Sequence, residues 1–403
     1  MDRTAATRPG AGTGARWGMV GAGAALVGTC YGLARFAYGL FLPEFRAEFA
    51  ISSAVSGLIG AGSYVGYCAA IVASLVLTPR WGPRPVAVTA GLVATAGLIT
   101  VAVSPSAAVL AVGILIAGSS TGLASPPLAA AVGAWVRAGA RDRAQTVVNA
   151  GTGLGVLASG PMALVLLDQW RWVWAGFAVV AAVVTCWAHR VVPAGTATPT
   201  TPNGGEARSG RAGSPTARRP LSPGTPRLLA ASFFLGLSSI AVWGFGRDLL
   251  ATQPGATTLG SSLTWMILGA AGILGALGGD LVRRVGLTTS WVVLMLTMGG
   301  ATALFAVAPA TDGIVFTAAV LFGASYIGLT GLVLLWSADL YPTRTPFGVG
   351  VSFFTIAAGQ AIGAPLVGRL IESSGTSAVF YTWAALGVLG AALRPHRPHR
   401  HRR

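Results

Sequence analysis

Lysine is absent from this 403-residue chain, and charged residues of all kinds make up only 9% of it. A soluble domain covers its surface with about 25% charged residues, so water is excluded as the solvent around most of this chain. Acidic residues are also few, 11 against 27 arginines, which leaves a net charge of +16. A pI near 11.4 would suit nucleic-acid binding. Here, however, the arginines stand in short clusters between apolar runs, where they orient a chain in a membrane, and no nucleic-acid partner is expected. Cysteine is scarce: Cys30, Cys68 and Cys186 all fall inside apolar runs. Three are too few for a disulfide framework or a metal site, and they read as small apolar filler. Neither a metal nor a cofactor is expected.

What is present is hydrophobicity, 53% of the residues with a mean hydropathy of +0.69. A membrane helix needs about 20 apolar residues to cross about 30 Å of hydrocarbon. That ruler places spans near 17–42, 55–78, 86–104, 107–136, 144–167 and 172–192, then 227–250, 258–281, 287–308, 313–338, 347–371 and 376–393. Residues 1–16 form a polar tail with Arg3, Arg8 and Arg16. The apolar run after it far exceeds the 7–15 residues of a cleaved signal's core, so it reads as a retained first span.

Between the sixth and seventh spans, residues 193–226 are rich in Pro, Gly, Thr, Ser and Arg, with Leu221 the only large aliphatic residue. Such a stretch buries too little apolar surface to offset its ordering entropy and is expected to be a flexible linker. The predicted organisation is therefore an all-α polytopic membrane protein of twelve helices: two six-helix halves, 17–192 and 227–393, and a basic tail over 394–403. Of the 27 arginines, 22 lie in segments assigned to one side of this topology. The positive-inside rule makes that side the cytoplasm, so both termini and the linker are cytoplasmic. In a bacterium, which the arginine-, glycine- and alanine-rich composition suggests, the location is the plasma (inner) membrane. The three histidines of the tail, among arginines, read as a cytoplasmic segment attracted to anionic lipid heads.

The halves also echo each other. Gly82, Pro161 and Asp168 recur 204 residues later as Gly286, Pro365 and Glu372, and Tyr31-Gly32-Leu33-Ala34-Arg35 is answered by Trp243-Gly244-Phe245-Gly246-Arg247. Parallel repeats of this kind belong to one class of transporters. With its paired sets of spans, basic central linker and basic turns after spans two and eight, the chain resembles the major facilitator superfamily. Its string Tyr31-Gly-Leu-Ala-Arg35-Phe36-Ala-Tyr38-Gly-Leu-Phe-Leu-Pro43 is similar to that of the bacterial YbfB/YjiJ-type branch. The family's loop pattern Gly-x-Leu-x-Asp-Arg-x-Gly is only partly kept. After span two Leu77, Arg80 and Gly82 fit, with Leu75 and Pro79 at the Gly and Asp places; after span eight Gly279, Leu281, Arg284 and Gly286 fit, with Arg283 at the Asp place and Asp280 nearby. The resemblance implies gating roles for Arg80, Gly82, Asp280, Arg283, Arg284 and Gly286, with the charge-paired latch altered. Span five keeps Gly160-Pro161 of the antiporter pattern without its downstream glycines.

A charge inside hydrocarbon costs about 2.5–3.5 kcal/mol on insertion scales, so an embedded ion marks a functional candidate. Arg35 is the clearest. It lies about 27 Å along a span begun at Trp17, in the outer third, with Tyr31 and Tyr38 on its face at i−4 and i+3. Two readings stand: the guanidinium receives an anionic or aromatic substrate, or it snorkels or binds a carbonyl to pin two helices. Arg247, next to Asp248, holds the corresponding place in span seven, where Trp243 answers Tyr31. Polar residues near mid-depth complete the candidate substrate site: Ser120, in a Ser- and Pro-rich stretch of span four, Asn149 and Thr152 in span five, Tyr326 and Thr330 in span ten, and Gln360 in span eleven. Each serves equally as interhelical glue.

The function expected is secondary active transport of a small organic solute by alternating access, with a proton or another ion as a coupling partner. Arg35 and Arg247 lean the solute toward an organic anion or zwitterion; efflux of an amphipathic drug-like compound is the rival. A polytopic membrane transferase is the alternative of another class, but it needs a base, metal ligands or a nucleophile near the surface. No such His/Asp/Glu cluster occurs, so no catalytic residues are expected. The working unit is expected to be a monomer.

Overall fold

Backbone N–H and C=O groups find no partners in hydrocarbon, so a chain this apolar must satisfy them internally, as helices do residue by residue. The computed structural model is all-helical and describes residues 13–165, 169–195, 221–253, 257–307 and 312–395. Most of both tails and of the linker, with Asp168, lie outside the described residues. Eleven helices among those described are long and apolar enough to cross a bilayer. They are α1 (Trp17–Leu40), α2 (Ser53–Trp81), α3 (Pro83–Ala102), α4 (Ala107–Trp135), α5 (Arg141–Val165), α6 (Trp170–Val191), α7 (Thr225–Ala251), α8 (Thr258–Val285), α9 (Leu287–Val307), α10 (Asp312–Leu340) and α11 (Thr345–Ser374). The last, α12 (Thr376–Ala391), is apolar but has 16 residues, about 24 Å of helix at 1.5 Å per residue. It falls short of the length expected of a twelfth span.

The outer surface shows which solvent the fold answers. Leu58, Val65, Val72 and Val76 form an exposed stripe along α2, and Val179 and Val183 do the same on α6. Apolar faces of this extent are rare on soluble monomers and normal against lipid. Exposed tryptophans mark helix ends: Trp17 opens α1, Trp81 closes α2, and Trp172 and Trp187 flank α6, as in the aromatic belts of membrane interfaces. Short loops are closed by side-chain caps, where Ser52, Ser106 and Thr257 accept from the N–H of Val55, Val109 and Gly260.

Gly82 and Gly286, singled out by the repeat, end α2 and α8 in one geometry. Their φ values are 82° and 83°, and each N–H bonds the carbonyl four residues back, Thr78 and Val282, at 2.9 Å. An L side chain is strained at that φ, so glycine is required at both turns. Asp280 pairs with Arg283 on the same helix, while Arg80 and Arg284 are exposed. The altered latch is thus a local contact of α8 in this structure.

Helix contacts sort into two sets. In the first, α4 packs on α2 and α3, α6 on α3, and α1 on α5 and α6; in the second, α7 packs on α11 and α12, and α10 on α8 and α9. The sets meet along α2 with α11 and α5 with α8. Glycines permit this closeness: a Cβ at Gly57 would stand 2.5 Å from the Ala364 carbonyl oxygen, and one at Gly153 would stand 2.7 Å from that of Gly269. The C-terminal ends of α1 and α7 also touch, whereas α4 and α10 make at most a marginal contact. Helices α1, α7 and α10 are 78%, 72% and 78% buried over their spans, against 39–44% for α6, α8 and α9. The centre of the molecule is therefore built on α1, α7 and α10.

Candidate functional site

Within α1 the backbone departs from α-helical winding over Gly28–Phe36, which forms a π-helix. Wider turns of this kind recur at functional sites, and here they change which side chains share a face. Tyr31 stays beside Arg35, its ring centroid 5.5 Å from the guanidinium carbon. Tyr38 turns away and donates to the Ser56 carbonyl at 2.8 Å. Tyr38 stands in the α-helical turn that follows the π segment, and its hydroxyl is taken up by α2 and not by the cavity.

Arg35 is buried at 4% exposure. Besides Tyr31, its guanidinium lies over the rings of Phe36, Tyr64 and Tyr67 at 4.8, 4.5 and 4.9 Å. Ring faces attract a cation, more so when both are desolvated, but they carry no full negative charge. Its polar partner is Gln360, whose amide oxygen accepts from a terminal nitrogen. The Arg35 Nε–H has no partner, and no carboxylate among the described residues forms an ion pair with this side chain. Gln360 and Tyr326 lie near the midpoints of α11 and α10, so Arg35 sits at mid-depth and not in the outer third. The apolar ruler placed it too far out because the buried, helical chain runs on past Leu40 through a short helix, Leu42–Phe49.

A narrow cavity opens beside Arg35, lined by Tyr31, Tyr67, Asn149, Thr152, Tyr326, Thr330 and Phe353 among others. Tyr31 links α1 to two neighbours, with its hydroxyl 2.9 Å from that of Tyr67 and 2.7 Å from Ser125 Oγ. Across the cavity Asn149 Nδ2 donates to Thr330 Oγ1 at 2.9 Å. Six of the residues marked in the sequence, Tyr31, Arg35, Asn149, Thr152, Tyr326 and Thr330, thus line one space with Gln360 bonded at its edge. Trp243 lies just behind, stacked on Phe36 at 3.9 Å.

Besides Tyr38, two marked residues fall elsewhere. Ser120 bonds its own helix at the Ala117 carbonyl, and Ser125 is the hydroxyl of α4 that reaches the site. Arg247 sits at the contact of α1 with α7, bonded to the Leu40 carbonyl and, at 2.6 Å, to Glu44. Beside it Arg46 pairs with Asp248 at 2.5 Å. The two pairs run in opposite senses between the segment after α1 and the end of α7. Sequence reasoning missed Tyr64 and Tyr67, whose polar-tipped rings recur at i and i+3 in a Gly- and Ser-rich span. It also missed Glu44 and Arg46, although their charges complement Asp248 and Arg247.

Comparison with known proteins agrees with this architecture. A transcription regulatory protein, OpdE, of Pseudomonas aeruginosa is 25% identical over 342 residues, 84% of this chain and 84% of that protein. Monocarboxylate transporter 11 of the mouse, Mus musculus, is 35% identical over 161 residues, 39% of this chain and 35% of that protein. The family model described as Major Facilitator Superfamily matches residues 24–346. That match runs from within α1 to the end of α10 and includes Arg35 and most of the cavity lining, while Phe353, Gln360 and nearly all of α11 lie beyond it. Taken with the all-helical polytopic fold, it establishes that this chain belongs to the Major Facilitator Superfamily and is a membrane transporter, not an enzyme.

Proposed function

We propose that the protein moves a small organic anion bearing one carboxylate across a bacterial plasma (inner) membrane, working as a monomer by alternating access. The carrying observation is Arg35: a buried cation beside a cavity and level with the middles of α10 and α11, with an unpartnered Nε–H and no ion-pair partner among the described residues. Leaving a charge uncompensated in such a place costs several kcal/mol, and a substrate carboxylate supplies the missing charge. Its two oxygens suit Nε–H and a terminal N–H together, the fork that makes arginine–carboxylate pairs strong. One cation in the lining favours one negative charge, and the absence of lining acids disfavours cationic cargo. Tyr31, Tyr67, Tyr326 and Phe353 offer walls for an apolar body, and Asn149, Thr152 and Thr330 offer polar groups at the other side. The mouse relative, a monocarboxylate transporter by name, points the same way.

Access alternates, on this reading, by rocking of two six-helix halves, 17–192 and 227–393, about the α2/α11 and α5/α8 seams. The contact of α1 with α7 seals one face, which the arginine distribution makes the outer one. The sequence's likeness to the YbfB/YjiJ-type branch accords with a bacterial carrier. A proton is the simplest coupling ion for a carboxylate. Efflux of an amphipathic compound stays the rival reading, and stabilisation of the purified protein by organic amines would favour it.

The test is ligand-induced thermal stabilisation of purified protein, since a ligand that favours the folded state raises its melting temperature. Benzoate, lactate and acetate are expected to stabilise, and succinate, chloride and organic amines are not. Arg35→Gln should abolish the shift and the flux while membrane insertion stays normal. Stabilisation by amines alone, or an Arg35→Gln protein that still responds to carboxylates, would overturn the proposal.

A further inference from the structure

Gln360 holds the guanidinium that the proposed cargo would need, and it does so from the other side of the molecule. Arg35 belongs to α1 and Gln360 to α11, 325 residues apart in sequence. Neighbours fix which end of the amide faces Arg35. Ser239 uses its proton on the Gly236 carbonyl at 2.9 Å, so toward Gln360 it acts as an acceptor, and it receives the amide N–H at 3.3 Å. The Tyr326 hydroxyl takes a second N–H contact at 3.4 Å. With both donors engaged on α7 and α10, the amide oxygen is left to point at Arg35. Gln360 is fully buried, so bulk solvent does not compete for the arrangement.

From this we infer that Gln360 is a built-in stand-in for the substrate carboxylate: its amide oxygen caps Arg35 in the empty carrier and yields that place when an anion binds. The inference rests on the reading of Arg35 as the anion site. Rocking from one face to the other passes through a closed state in which Arg35 is cut off from water on both sides. A buried guanidinium without an acceptor resists that passage, because its desolvation is uncompensated. The loaded carrier passes with the anion as acceptor. The empty carrier passes with Gln360, which is neutral and so is displaced by a carboxylate, the stronger acceptor. The residue therefore sets whether the protein completes a net cycle or only exchanges anion for anion.

Two substitutions separate this role from simple packing. Gln360→Met keeps the length and volume of the side chain and removes the oxygen. Gln360→Glu puts a permanent carboxylate where the cargo would sit. Wild-type and variant proteins are reconstituted in vesicles, and labelled benzoate, lactate and acetate are followed in two assays: uptake into empty vesicles, and exchange against the same unlabelled anion inside. For Gln360→Met, net uptake should fall at least about ten-fold further than exchange does, because only the empty carrier lacks an acceptor. For Gln360→Glu, both fluxes should vanish, and none of the three anions should raise its melting temperature. If Gln360→Met lowers the two fluxes equally, or leaves both intact, Gln360 is no stand-in, although Arg35 remains an anion site. Should the wild-type protein neither exchange nor be stabilised by any of the three, the anion reading itself fails and this one goes with it.

Discussion

Replacing Glu44 by Gln should shift the protein toward an arrangement in which α1 and α7 are parted at their C-terminal ends. Arg247 is 3% exposed at its side chain, and its charged partner Glu44 is 18% exposed at 2.6 Å. Removing one member of a buried pair costs about 3–5 kcal/mol. Partial exposure of Glu44 lets water relieve some of that, leaving about 2–3 kcal/mol. With the ends parted, both groups are hydrated and the substitution costs little, so the loss falls on the closed state. At 1.36 kcal/mol per tenfold, the equilibrium moves by about 30- to 150-fold. A protein with about one molecule in a hundred open would then show roughly a quarter to somewhat over half. The Arg46–Asp248 pair is the more exposed of the two, 30% at its arginine and 10% at Asp248 against 3% at Arg247, so Arg46→Gln should shift the balance by less, about 1–2 kcal/mol or about five- to thirty-fold. Spin labels on cysteines placed at the exposed positions Ala47 and Ala251, with the native cysteines replaced, report the separation by double electron–electron resonance. Combining Glu44→Arg with Arg247→Glu should restore the short distance. An unchanged distance distribution for Glu44→Gln, or a larger effect from Arg46→Gln, would refute the argument from burial.

Gly39→Ala should open the same face by wedging, because a Cβ there collides with the Trp243 carbonyl oxygen on α7; the same label pair should lengthen without a large loss of thermal stability. Gly236→Ala, whose Cβ would strike the Ile356 carbonyl within one set of helices, should instead lower the melting temperature and leave the label distance unchanged. Tyr67→Phe removes the hydroxyl 2.9 Å from that of Tyr31; the loss of about 0.5–1.5 kcal/mol should weaken benzoate stabilisation by about two- to ten-fold, read as a displaced titration midpoint. Reporter fusions at the two chain ends should both register as cytoplasmic, and opposite sides for the two would contradict the arginine argument.

Much of the site could be read in advance because a polar residue in an apolar run is conspicuous by itself. Arg35, Asn149, Tyr326, Thr330 and Gln360 were each visible as exceptions to their surroundings, and they converge. Tyr38, Ser120 and Arg247 were equally visible and do not join them. For Tyr38 the cause is a partner on another helix, the Ser56 carbonyl of α2, which takes its hydroxyl away from the cavity. For Ser120 it is the helix's own carbonyl, which satisfies the hydroxyl within one turn. For Arg247 it is an ion pair with Glu44, a residue outside the apolar ruler and so left out of account. Tyr64 and Tyr67 went unremarked because they meet Arg35 only across the contact of α1 with α2, which no spacing within α2 displays.

The sequence alone determined the solvent, the helical class, the placement of the crossings and the distribution of arginines between faces, for these depend on composition and local periodicity. Tertiary structure alone decided that Arg35 meets Gln360 from another helix and no carboxylate, that four rings close around it, and that opposed ion pairs fasten α1 to α7. Those outcomes depend on how close two helices approach and on the rotation of each about its axis. Both are set by glycines and side-chain shapes acting between segments hundreds of residues apart, which no local pattern encodes.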